Sequence, residues 1–141
     1  LPYYFAVDRA RHVWGSGGIC AQLQNGLVSI SERYLFSSLV YQGQEVPLAE
    51  LWQWNRRFPL PQHFVYLDIP PEVADSRIAQ REGDKRREIF EQVDFQRRVR
   101  ESYQMLIRFF RGLAPLMAIH CLDASWERER LHAEIIRCLK L

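Results

Sequence analysis

At 141 residues, 48% hydrophobic and 13% aromatic, the chain is long and apolar enough for one domain with a real core. It has no apolar run of membrane-spanning length and does not open on the basic-then-apolar pattern of a secretory leader; its net charge of +2 is too small for a nucleic-acid scaffold. Neither nucleic acid nor membrane is expected as a partner. Cys20, Cys121 and Cys138 are odd in number, far apart and without C-x-x-C spacing, which disfavours a disulfide framework or zinc site and points to a reducing, cytoplasmic setting.

In chain order, Leu1 to about Val13 reads as the end of a helix stopped by Gly15-Ser16-Gly17-Gly18. Leu27-Val28-Ser29-Ile30 reads as a short buried strand, followed by a polar turn and a helix from Ser37. Leu48, Leu51, Trp52 and Asn55 keep helical spacing toward Arg57, and Pro59 and Pro61 end that element. Phe64 to Ile69 is the clearest strand, and Pro70-Pro71-Glu72 starts a helix, with proline and an acid where a first turn tolerates them. Phe95, Val99, Tyr103, Leu106, Phe110 and Leu113 predict a long amphipathic helix between about Phe90 and Arg111. Met117 to Leu122 is a last strand, and after Asp123-Ala124-Ser125 a terminal helix carries Leu131, Ile135, Ile136 and Leu139. Three apolar strands separated by helices indicate an α/β fold: a parallel sheet with helices on both faces.

Of the 19 basic residues only Lys85 and Lys140 are lysines, leaving 17 arginines, whose guanidinium grips phosphate bidentately. Coding bias explains most of them equally well, so position decides which ones matter. Phe5 and Arg9 stand four apart, on one face of a helix. The stretch Glu32-Arg33-Tyr34-Leu35-Phe36-Ser37-Ser38-Leu39-Val40-Tyr41-Gln42 follows the strand-like run, at the carboxyl end where open α/β sheets bind ligands. A flat ring, two planar cations and a tyrosine suit a nucleoside monophosphate. The histidines form no catalytic or metal pattern.

Five pieces in register carry a resemblance. F-A-x-D-R-x-x-H, [DE]-R-Y-x-x-S-S-x-x-Y-Q-G, Y-L-D-x-P-P-E, an arginine-rich stretch leading to R-V-R-x-x-Y, and D-A-S before a last helix together resemble thymidylate kinase. The resemblance implies a P-loop kinase-like fold and transfer of the ATP γ-phosphate to dTMP with Mg²⁺, giving dTDP. It implies that Phe5 stacks on the base, Arg9 donates to a base oxygen and Arg33 holds the monophosphate. Ser37 and Ser38 would lie against the base, Tyr41 beneath the deoxyribose, and Gln42 near the base. Glu32 stands where the family usually has aspartate near the metal and phosphate network, an indirect metal candidate. The run 81–91 corresponds to a lid over ATP, with Arg81, Arg86 and Arg87 as candidates to meet the migrating charge; a homodimer is also implied, with the Trp52-Gln53-Trp54 region or the first helices as candidate contributors.

No G-x-x-x-x-G-K-[ST] loop occurs in these residues, and Gly15 to Gly18 lack the lysine and hydroxyl it needs. The chain is therefore expected to be the C-terminal two-thirds of a single kinase domain whose N-terminal strands and phosphate loop lie outside it. Without the central strand that bears the loop, the strands matching Leu27–Ile30 and Phe64–Asp68 would be left with open edges or would pair directly. The alternative readings are a non-catalytic nucleotide-binding protein that lost the loop, or another nucleoside monophosphate kinase.

Overall fold

The glycine run stops a helix. The computed structural model describes residues 2–82, 93–113 and 117–140, which divide into two units, residues 1–59 and 60–141. In the first, α1 spans Pro2–Trp14 and ends where the Gly15 amide donates to the Arg11 carbonyl at 2.8 Å. A Cβ at Gly15 would collide with that carbonyl, and Gly17 has φ of +72°, so the turn requires glycine for close approach and for handedness. Helices α2 (Ile19–Gln24), α3 (Leu35–Tyr41) and α4 (Leu48–Asn55) follow, with a 3₁₀ turn at Gln42–Gln44 between the last two. Leu35, Phe36, Leu39 and Val40 of α3 pack with Val13 of α1, Leu51 of α4 and Phe58 into a small core. Burying each of the larger side chains contributes about 1.5–3 kcal/mol.

The strand expected at Leu27–Ile30 does not form. Residues 27–30 have no strand assignment, and Leu27, Val28 and Ile30 are 57%, 72% and 80% exposed. An extended segment becomes a strand only when a neighbour takes its amides and carbonyls, and no described strand lies in this unit to do so.

The second unit is α/β. β1 (His63–Asp68) pairs in parallel with β2 (Ala118–Asp123), His63 opposite Ala118 and Asp68 opposite Asp123. Of the three strands expected, two are present among the described residues. A parallel partner needs a crossover, which α5 (Pro71–Glu82) and α6 (Val93–Leu113) supply; α7 (Arg128–Leu139) then packs against β2. The stripe of α6 is buried as its period predicts, at Phe95, Val99, Leu106 and Phe110. Tyr103 of the same stripe stacks on Tyr66 with ring centroids 5.0 Å apart, which fixes α6 over the β1 face that carries Tyr66 and Asp68. All three cysteines are free.

Candidate functional site

Arg9 is held from several sides within the helical unit. Its Nη1 donates to Asn55 Oδ1 and its Nη2 to Ser38 Oγ, so α1, α3 and α4 meet at one guanidinium. The cation also lies 5.4 Å from the Phe58 ring centroid and 5.7 Å from that of Tyr34, within cation–π range of both. Trp14 stacks on Phe58 at 4.9 Å, and the Tyr34 hydroxyl donates to the Pro59 carbonyl at 3.1 Å, so neither ring is free to swing away. Burial pulls the Arg9 pKa below its ordinary value and pushes that of Tyr34 up, with each opposing the other's shift.

The other residues expected at the site fall in the same unit. Phe5 is 56% exposed on α1, a ring available to a ligand. Arg33 has φ of +64°, a left-handed conformation that a non-glycine residue adopts at a cost; the Ser31 hydroxyl donates to its carbonyl at 2.8 Å and stabilises the turn. Its guanidinium lies 5.0 Å from the Tyr41 ring centroid. Ser37 is half-buried, and Ser38 is buried with its hydroxyl engaged by Arg9. Gln42 carries a buried Oε1 with no hydrogen-bond partner, an acceptor still seeking a donor. Glu32 is exposed, and the described residues hold no cluster of three His, Cys, Asp or Glu side chains fit for a metal.

Asn55 escaped sequence reasoning as a functional group, although its signal was visible: it is a polar residue in the apolar stripe of Leu48, Leu51 and Trp52. At 2% exposure it is buried, and its Nδ2 donates to the Leu51 carbonyl at 2.7 Å.

A second arrangement lies in the α/β unit, where the carboxyl ends of the two strands open on a groove of about 390 Å³ lined by Asp68, Pro70, Arg100, Leu122, Asp123 and Ser125. Asp68 accepts a bidentate fork from Arg100, at 2.7 Å from Nε and 2.9 Å from Nη2, and takes the Tyr66 hydroxyl at 3.2 Å. The Arg100 hydrogen bond holds the Asp68 carboxyl below the usual carboxylate range. Asp123 accepts from the Ser125 amide and hydroxyl, which closes the turn leaving β2, while Arg77 donates to the Ala124 and Ser125 carbonyls. Arg100, on α6, thereby anchors the end of β1. Arg97 pairs with Glu72 and Asp94. Of the lid candidates, Arg81 lies on α5, while Arg86 and Arg87 fall outside the described residues.

Comparison with known proteins decides the family. The thymidylate kinase family model matches residues 1–135. The chain belongs to the thymidylate kinase family. It is 39% identical over 140 residues to a Treponema pallidum protein named "Putative thymidylate kinase", covering 99% of this chain and 66% of that protein. Proteins named "Probable thymidylate kinase" from Pyrobaculum aerophilum and Thermococcus kodakarensis are 34% and 38% identical, each covering 96% of this chain and 65% and 62% of their own lengths. The chain thus spans just under two-thirds of these thymidylate kinase relatives. No helix among the described residues is long and apolar enough to cross a membrane.

Proposed function

We propose that this chain carries the acceptor-nucleotide pocket of an ATP-dependent dTMP kinase. The observation that supports it best is the grip on Arg9: a member of this family uses three helices and two aromatic rings to hold one guanidinium beside an exposed phenylalanine. In this reading Phe5 stacks on the thymine, Arg9 donates to a base oxygen, and Ser38 serves the base through Arg9. Ser37 lies near the base. The unpartnered Gln42 Oε1 is suited to accept the ring N–H of a pyrimidine. Arg33 holds the monophosphate and contributes to the transfer, and Tyr41 packs beneath the deoxyribose, where its bulk disfavours a 2′-hydroxyl.

Phosphoryl transfer leaves the protein positioning and charge stabilisation, so Arg81, Arg86 and Arg87 are assigned to the charge that migrates from donor to acceptor. ATP is the donor, and Mg²⁺, when bound, would offset the charge of its phosphates. That ion needs only one or two protein carboxylates in such sites, and Glu32 is the candidate here. The working state is a cytoplasmic homodimer.

The test is a calorimetric titration of the chain with dTMP, CMP, AMP and GMP. Preference for dTMP is expected; equal binding of all four would reject the pocket. Reading the gene upstream of Leu1 for G-x-x-x-x-G-K-[ST] and assaying that polypeptide for dTDP formation tests the transfer itself.

A further inference from the structure

We propose that Asn55 is a positioning and specificity residue of the nucleotide pocket, holding Arg9 in place while leaving its positive charge uncompensated for the ligand. The proposal deepens the reading above and rests on it. Ser38 and Asn55 are the two polar residues classed as buried among the described residues, at 5% and 2% exposure, and both accept from Arg9. A buried polar group costs free energy unless it is bonded, so the core of this unit has spent its polar positions on one side chain.

The chemistry of Asn55 suits this task and that of its neighbours in size does not. Its Nδ2 donates to the Leu51 carbonyl at 2.7 Å, which orients the amide so that Oδ1 faces the guanidinium. Leucine would offer Arg9 no acceptor. Aspartate would accept from Arg9 but could not donate to Leu51 when ionised, and it would neutralise the cation.

Neutrality is the second half of the argument. Arg97, Arg100 and Arg137 each pair with a carboxylate, whereas among the described residues none pairs with Arg9. Arg9 instead meets a hydroxyl, an amide oxygen and the faces of Tyr34 and Phe58. Two of its five donors are occupied by these side chains, and the rest remain for a bound group. A half-buried cation without a counter-ion favours an electron-rich partner, and the carbonyl oxygen of a pyrimidine is one.

The experiment is a double-mutant cycle read by dTMP titration of the full 141-residue chain. Asn55→Leu should weaken dTMP binding roughly tenfold or more, because a donor on Arg9 loses its partner and the cation its position. In an Arg9→Ala background the same change should cost nothing further. Asn55→Asp keeps the volume and the acceptor, so it remains usable if Asn55→Leu fails to fold; it should melt no lower than the leucine variant yet bind dTMP at least about tenfold more weakly than the parent, through neutralisation of Arg9. Parental dTMP affinity in Asn55→Asp, or an equal loss from Asn55→Leu with and without Arg9, would overturn the role given to Asn55. Absence of saturable dTMP binding by the parent chain would instead remove the pocket itself.

Discussion

The Arg33 guanidinium lies 5.0 Å from the Tyr41 ring centroid, eight residues along the chain, with Arg33 in a left-handed conformation just before α3. Two groups assigned to adjoining parts of a nucleotide, phosphate and sugar, therefore support one another before any ligand binds. Tyr41→Phe should keep this contact and dTMP affinity, while Tyr41→Ala should relax discrimination against ribose. Comparative titration with dTMP and ribothymidine monophosphate checks both.

The strain at Arg33 separates stability from function. Arg33→Gly should fold with equal or greater stability, gaining up to about 1 kcal/mol from relief of the positive φ, less what glycine's flexibility costs the folded state. The same change should weaken dTMP binding and slow turnover together, by about 2–5 kcal/mol if a desolvated charge pair with phosphate is lost. Denaturant midpoints and dTMP titration on one variant read the two effects.

If Arg81, Arg86 or Arg87 meets charge that develops only during transfer, its alanine variant should lower kcat strongly with dTMP affinity nearly unchanged. Steady-state kinetics on the three single variants, in the polypeptide that carries the phosphate loop, measures this. Parental kcat in all three would leave them as surface charge.

The Asp68–Arg100 fork should be worth about 1–3 kcal/mol to the fold, as a charge-assisted pair that is partly shielded from water. Arg100→Met, which keeps the alkyl packing, should lower the unfolding free energy by about that amount, read from denaturant melts. The folded pKa of Asp68 is depressed, so its contribution is present above the ordinary carboxylate value and is lost as pH falls through the folded value. The gap between parent and Arg100→Met should therefore narrow on strong acidification.

A second pH effect is expected from His63 and His120, whose Nδ1 and Nε2 lie 3.1 Å apart in stacked rings. One nitrogen must donate and the other accept, so both rings cannot be protonated in this contact. Burial and then His63 lower the His120 pKa below 6.5. A depressed base favours the folded state when neutral: the stability is present above the ordinary value and is lost as pH falls from there through the folded one. Urea midpoints should decline between about pH 7 and pH 5.5, and His120→Gln should flatten the decline.

The long helix, the Phe64 strand and the glycine stop were legible because their signals are local: a 3.6-residue apolar stripe, a β-branched and aromatic run, a residue type that tolerates positive φ. The sequence by itself also determined the family, since five motifs in register name it, and the candidates Phe5, Arg9, Arg33, Ser37, Ser38, Tyr41 and Gln42, which motif matching selected. Tertiary structure decided what those side chains touch. Whether Leu27–Ile30 is a strand depends on a partner for its backbone, which its own residues cannot supply. Whether Asn55 is a misplaced polar group or the clamp on Arg9 depends on the chain returning α4 to α1 across a sequence separation of 46. The pairing of Arg100 with Asp68 needs α6 laid along β1, where Tyr103 and Arg100, three apart on a helix, meet Tyr66 and Asp68, two apart on a strand. Hydrogen bonds and ion pairs act over a few ångströms, and only the folded chain sets those distances.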